Sequence, residues 1–356
     1  MKLYGNKRKK LTAGKVIVTL SIILILIAGG ILLFHMTIRP PRIPAIGGAD
    51  DDGVAFHTPE FHIDDSLISG ERIAPAGVTD EHRRQDFYTF LIVGLDEGWN
   101  TDTLMVASYD ATSKQTNIIG IPRDSLVNVR RSVKKINAAF GAGTLNGGGK
   151  EGGIEQLRRE IKTIIGFVPD FYAVINLKAF VEIIDAVNGV EVEVKHNMRY
   201  SDPTQNLYVD IPKGTHRLNG ADALKFSRYR RGASGYRTIS DYERIENQQT
   251  VIKALLSEVI KPANLLKIPE FVKIFSDNVF TDLSLTELGW FAKELNGIRG
   301  DDALHTYTMP TTGTSGLPMY YELLDEPAVL ELVNSTVNPY TVDIKPEDVD
   351  ILSRAP

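Results

Sequence analysis

The stretch "FYTFLIVGLDEGWNTDTLMVASYDATSKQTNIIGIPRD", residues 87–124, decides how this chain folds. "FYTFLIVGL" (87–95) is an apolar run rich in β-branched and aromatic residues, as a buried strand requires. "TLMVASYD" (103–110) and "TNIIGIP" (116–122) are two more strands, with "ATSKQ" as a hairpin-like turn between them. If the first two strands pair antiparallel, Asp96 and Asp102 lie at the same sheet end. The third strand returns to that end and delivers Arg123 and Asp124 there. Two carboxylates with open water positions can hold Mg²⁺ against a phosphate. The same residues also read as turn aspartates and a surface ion pair, since Asp is common in turns.

Downstream, helices and strands alternate. "GGIEQLRREIKTIIG" is an amphipathic helix, "FYAVINL" a strand, "KAFVEIIDAVNG" a glycine-capped helix and "VEVEV" a strand. "NGADALKFS" and "RIENQQTVIKALLSEVIK" are helices, the second stopped by Pro262. "NLLKIPEFVKIFSDN" and "SLTELGWFAKELNG" form a helical pair, and "LHTYTMP" is a late strand. The expectation is one α/β (α+β) domain over 87–356, a central mixed β-sheet flanked by helices. The glycine-rich "GAGTLNGGGKEGG" reads as a mobile loop at the rim.

The N-terminus points to a membrane. Residues 1–15 hold six Lys or Arg and no acid, and Val16 to Phe34 carries no charge. At a rise of about 1.5 Å per residue that run crosses a hydrocarbon core of roughly 30 Å. A transmembrane helix over 16–38 is expected, with residues 1–15 cytoplasmic and the rest outside. The alternative is a cleaved signal peptide. Residues 39–86, rich in Pro, Gly and Asp, read as an extracytoplasmic linker. Within them "ADDDG" lacks the glutamate that would close an EF-hand loop. With no cysteine, disulfides and thiolate sites are excluded.

The formal net charge is −5, and the basic tail makes the remainder more acidic still. A nucleic-acid partner is not expected. Against that background "RYRRGASGYRTISDYERIENQQ", 228–249, gathers Arg228, Arg230, Arg231, Arg237 and Arg244. Ser240 and Glu243 form a capping box, which places Asp241, Arg244 and Gln248 on one face of a helix start. Backbone N–H groups and guanidinium forks there suit an anion, above all phosphate. The alternative is a solvated basic arm. Other chemistries fail: there is no G-x-S-x-G, no H-E-x-x-H, and "GGGKEGG" has Glu151 where a P-loop needs Ser or Thr.

Together, "FLIVGLDEGWNTDTLMVASYDATSKQTNIIGIPRDSLV", "KINAAFGAG", "FYAVINLKAFVEIIDAVNGVEVEV" and "LNGADALKFSRYRRG" followed by "SDYERIENQQTVI" resemble the LytR-CpsA-Psr family. The resemblance runs from about Phe87 to the C-terminus. It implies an extracytoplasmic phosphotransferase that moves a glycopolymer, teichoic-acid-like or capsular, from polyprenyl pyrophosphate to peptidoglycan. It assigns Asp96 and Asp102 to Mg²⁺, with Mn²⁺ as the alternative. Catalytic roles fall to Arg123, Arg228, Arg230, Asp241 and Arg244; substrate binding falls to Arg123, Arg228, Arg230, Arg244 and Gln248, and Arg237 joins the expected binders from the arginine cluster itself. Asp241 would orient an arginine or accept a proton, and the orienting role is favoured because an acid beside arginines stays ionised. An apolar cleft for the lipid is expected between "FYAVINLKAFVEII" and the helix after Gln249. Two departures are visible: no basic side chain stands in "EGWN", and Glu246 occupies a position where a basic residue is frequent. A non-catalytic binder of polyanion or lipid pyrophosphate, and a polyprenyl-pyrophosphate-sugar hydrolase, are the competing readings.

Overall fold

The computed structural model describes residues 40–43, 74–96, 99–203, 207–259, 261–265, 267–294, 303–315 and 319–352. The expected tail and transmembrane helix, and most of the linker, lie outside them. Among the described residues no helix is long and apolar enough to cross a membrane.

Six strands form the central sheet: β1 (Phe87–Leu95), β2 (Thr101–Asp110), β3 (Gln115–Gly120), β4 (Phe171–Ile175), β9 (Val279–Thr281) and β10 (Leu304–Thr308). Their order is β10-β3-β2-β1-β4-β9. β1–β2, β2–β3 and β4–β9 pair antiparallel, whereas β1–β4 and β3–β10 pair parallel. The sheet is mixed, as expected.

Period-2 alternation in β1 divides the core in two. Leu91, Val93 and Leu95 face a cluster with Ile154, Leu157 and Ile161 of α2 (Gly149–Ile165) and Val329 and Val333 of α9 (Glu326–Thr336). Phe90 and Ile92 face the other side, where Met105 and Ile118 meet Ile252 of α5 (Asp241–Val259). Each fully buried Leu or Ile contributes about 1.5–3 kcal/mol, so a one-residue slip in register is strongly disfavoured.

Two short antiparallel ladders extend the body: β5 (Val190–Val194) with β8 (Gly214–Leu218), and β6 (Met198–Asp202) with β7 (Leu207–Ile211). Their inward residues build a second core with α3 (Leu177–Ala186), α4 (Gly220–Arg228) and Val251 of α5. After a short α6 (Pro262–Leu265), helix α7 (Ile268–Asn278) and helix α8 (Leu285–Glu294) follow as the expected helical pair. A last hairpin, β11 (Thr311–Ser315) and β12 (Tyr321–Leu324), precedes α9.

Two expectations change. Residues 74–86, assigned to the linker from composition, pack on the body: Ala74 is buried, and the Arg83 guanidinium donates to Asp170 Oδ2 at 2.6 Å and to Pro339 O at 2.9 Å. The Thr341 N–H donates to His82 O at 2.8 Å, so the start of the body is stitched to its last quarter. The glycine-rich segment is helical and not a loop. It forms α1 (Ala139–Gly143), one π-type turn over Thr144–Gly148 and the start of α2. A Cβ on Gly143 would lie 2.2 Å from Gly152 O, and one on Gly153 2.5 Å from Thr144 Oγ1. These glycines let two backbones cross in contact.

Candidate active site

The site is assembled from two places far apart in sequence. The first is the end of β2 and β3. Ile121 continues the sheet by donating its N–H to Leu104 O at 2.8 Å, which sends Arg123 toward Asp102. Arg123 Nη1 donates to Asp102 Oδ1 at 2.5 Å. Burial alone would lower the Arg123 pKa, but Asp102, Asp241 and Asp124 together hold it above its ordinary value. Asp124 is itself buried and takes a 2.9 Å bond from Lys135 Nζ.

The second place is the N-terminus of α5. The capping box is present: the Ser240 N–H donates to Glu243 Oε2 at 2.9 Å and the Glu243 N–H to Ser240 Oγ at 3.2 Å. Helix α5 is held against the sheet where β3 offers no side chain, for a Cβ on Gly120 would lie 2.4 Å from Ile245 Cγ2. Gln249 Nε2 donates to Tyr307 O at 2.6 Å, and the Tyr242 hydroxyl meets that of Thr311 at 2.5 Å. So fixed, Arg244 points inward at 4 % exposure and pairs with Asp241 at 2.7 Å. Burial, together with Arg123 and Arg230, lowers the Arg244 pKa, and the Asp241 carboxylate opposes this. Arginine nonetheless stays charged, so the pocket holds a buried cation that a bound anion would stabilise.

Between the two places lies a cavity of about 380 Å³. Asp102, Arg123, Arg228, Arg230, Arg244 and Gln248 all line it. Its lining also has an apolar component: Ile175, Leu177, Phe180 and Ile183 from β4 and α3, and Val251, Ile252 and Leu255 from α5. The cleft expected between β4–α3 and the helix after Gln249 is there. Apolar walls lower the local dielectric and strengthen the attraction of the arginines for an anion.

Not every expected residue joins. Asp96 lines a smaller, adjoining cavity, where its Oδ1 accepts from the Asn100 N–H at 2.9 Å. Leu95 and Asn176 line both cavities, so Asp96 stands beside the arginines and outside their wall. Arg237 is exposed and pairs with Glu243 at 2.5 Å, away from the lining. The capping glutamate captures it. Asp241 sits behind Arg244 and holds it, which fits an orienting role. Arg231, named in the arginine cluster but given no role, lines the large cavity, as do Tyr200 and Asp202, which sequence reasoning passed over. Arg231 had a signal in the "RYRR" run; the other two lie on the β6–β7 ladder, which was not read as strands.

Among the described residues no group of three or more His, Asp or Glu is placed to hold a metal ion. Magnesium does not require one, because it commonly takes one or two carboxylates, waters and substrate phosphates. The oxygen-only donor set of Asp102 and the neighbouring Asp96 suits it.

A family model, the LytR_cpsA_psr family, matches residues 58–337. The chain belongs to this family. It is 30 % identical over 230 residues to the regulatory protein MsrR of Staphylococcus aureus, covering 62 % of this chain and 64 % of that protein's length. It is 27 % identical over 288 residues to the polyisoprenyl-teichoic acid–peptidoglycan teichoic acid transferase TagU of Oceanobacillus iheyensis, covering 79 % and 80 %. The fold matches the crystal structure of Bacillus subtilis TagV with a TM-score of 0.57 at 22 % identity, over 71 % of this chain and 96 % of that one. It also matches TagT bound to LIIa-WTA, with a TM-score of 0.56 at 20 % identity over 72 % and 92 %. As in these family members, the sheet is mixed and flanked by helices.

Proposed function

We propose that this protein is a membrane-anchored, extracytoplasmic phosphotransferase that moves a glycopolymer from a polyprenyl-pyrophosphate carrier to peptidoglycan. One observation carries the reading: a single cavity is lined both by several guanidinium groups and by a set of aliphatic and aromatic side chains. A lipid diphosphate has that same division of chemistry. The names of two relatives, TagU and TagV, join teichoic acid to peptidoglycan and support the choice of donor and acceptor.

In this mechanism Arg123, Arg228, Arg230 and Arg244 bind the diphosphate oxygens and stabilise the charge that develops on them. The acceptor hydroxyl oxygen forms a bond to the phosphorus that bears the glycan. The bond from that phosphorus to the bridging oxygen breaks, polyprenyl phosphate departs with the electron pair, and the hydroxyl proton goes to solvent. Asp241 keeps Arg244 oriented, and Gln248, one turn further along α5, faces the same oxygens. Apolar side chains of the lining hold the lipid. Asp102, with Asp96 beside it, would hold Mg²⁺, which supplies further neutralisation of the phosphate charge.

A second reading is a non-catalytic binder of the same lipid, favoured by Asp102 being already engaged by Arg123. Purified protein given lipid-linked glycan, peptidoglycan and Mg²⁺ should yield a phosphodiester-linked product by mass spectrometry. Arg123→Ala and Arg228→Ala should each abolish it. Asp102→Ala should remove turnover and keep lipid binding, whereas a pure binder shows no turnover to lose. Product formation unaffected by chelator and by both arginine substitutions sinks the proposed site.

A further inference from the structure

The smaller cavity, of about 240 Å³, has no part in the chemistry described so far except through Asp96. Its walls mix aromatic faces with polar groups: Trp99 and Phe280, then Asp96, Lys150, Asn176 and Asn278. That is room for one six-membered ring and far too little for a lipid tail. A pyranose has this dual character, with C–H groups on its faces and hydroxyls around its rim.

Trp99 is held for display. It is 36 % exposed, unusual for so large an apolar side chain, yet its backbone sits at φ 65°, a left-handed conformation that bulky residues rarely adopt. Such strain costs about 1–3 kcal/mol and persists only where the surroundings enforce it, commonly at ligand clamps. The enforcement is visible. The Asp96 N–H donates to Asn100 O at 3.0 Å and the Asn100 N–H returns a bond to Asp96 Oδ1, which ties down Asn100 beside Trp99. The indole lies nearly parallel to the buried Phe140 ring, 14° between planes and 6.2 Å between centroids. Below it, a Cβ on Gly141 would come within 3.3 Å of Trp99 O, so the helix that carries Phe140 packs directly under the turn.

We propose that Trp99 is the platform of a pyranose subsite that holds the donor sugar bonded to the diphosphate. The proposal rests on the donor reading above. Leu95 and Asn176 are shared walls of the two cavities, so a ring stacked on Trp99 lies next to a diphosphate at the arginines. Asn176 Nδ2 reaches Asn278 O only at 3.4 Å, which leaves an amide donor ready for a sugar hydroxyl or acetamido oxygen. Lys150 adds a cation at the same wall.

The chain has two tryptophans, and the other, Trp290, is buried at 8 % exposure within an aromatic cluster, so emission changes at the site report on Trp99. The probes are farnesyl diphosphate, farnesyl-diphospho-N-acetylglucosamine and a β-1,4-linked N-acetylglucosamine tetramer, titrated into the full chain in detergent. Wild type should bind both farnesyl ligands and change its emission only with the sugar-bearing one. By calorimetry, Trp99→Ala should weaken the sugar-bearing ligand about ten-fold and leave farnesyl diphosphate unchanged, while Trp99→Phe should keep most of the difference. Equal weakening of both ligands, or none, overturns the platform and leaves the diphosphate site standing. An emission response to the tetramer alone assigns the ring to the acceptor strand and overturns the donor assignment. Failure of wild type to bind either farnesyl ligand removes the diphosphate reading and the subsite with it.

Discussion

Glu322 shows what a single buried residue contributes around this site. Its N–H donates to Asp124 O at 3.0 Å, and its carbonyl accepts from Leu126, which sets β12 beside the segment that carries Arg123. Its side chain is buried and accepts a hydrogen bond from the Tyr320 hydroxyl. Burial raises its pKa above the ordinary 4.5; the Asp241 and Asp124 carboxylates push the same way, against the Tyr320 bond and Arg230. A group whose folded value is raised stabilises the fold below its unfolded value, and that contribution is lost as pH rises through the folded value. Glu322→Gln cannot ionise and keeps an acceptor for Tyr320. Thermal melts should show it gaining stability over wild type as pH rises above the ordinary 4.5, with the difference vanishing toward the acid end. An equal difference at all pH values would mean that packing, not charge, sets the effect. At this scale the sequence was readable where local chemistry decides. Ser240 and Glu243 spell a cap, and Asp241 to Arg244 a one-turn pair. It was unreadable where partner choice decides: Arg237 has the right charge for the anion site but is taken by the capping Glu243.

Among the elements, α5 matters most, because it brings Arg244 and Gln248 to the sheet end. Its seat is Gly120, where the missing side chain admits Ile245. Gly120→Ala should cost about 1–3 kcal/mol by overpacking, read by urea unfolding. Ile245→Ala removes the methyl in conflict, so the double variant should be more stable than the two single costs added together. Simple additivity would show that the helix does not rest on this contact. Strands β1 to β3 and helices α3 and α5 were legible because their apolar periods are clean over many residues. The helical start of α2 was not, since glycine has poor helix propensity and "GAGTLNGGGKEGG" reads locally as a loop. What decides there is a backbone crossing between Gly143 and Gly152, which no local pattern reports. The β6–β7 ladder carried a fair signal in "LYVDI", alternately buried and exposed, but its five-residue strands are short.

For the whole molecule, the mixed sheet explains why the site needs the full length of the domain. Strands β1 to β3 are contiguous in sequence and supply Asp96, Asp102 and Arg123; the arginines arrive more than a hundred residues later, and β10 closes the β3 edge later still. Composition and alternation predicted the α/β class and the mixed sheet. They could not predict which cavity Asp96 would join, because Trp99, which lines the same cavity, is placed by its contacts with Phe140 and Gly141 of α1.

The stitching of Arg83 to Asp170 and Pro339, and of His82 to Thr341, has a consequence for biosynthesis. A chain emerging from its N-terminal end can form the β1–β2–β3 meander early, but the opening segment gains its last partners only when residues near 340 have emerged as well. Until then β3 lacks its neighbour β10 and presents an open edge to other chains. Polypeptides released at residue 300 should therefore aggregate in pulse-labelled synthesis, whereas those ending at residue 352 should resist protease; equal resistance of the two would show that the early meander matures unaided.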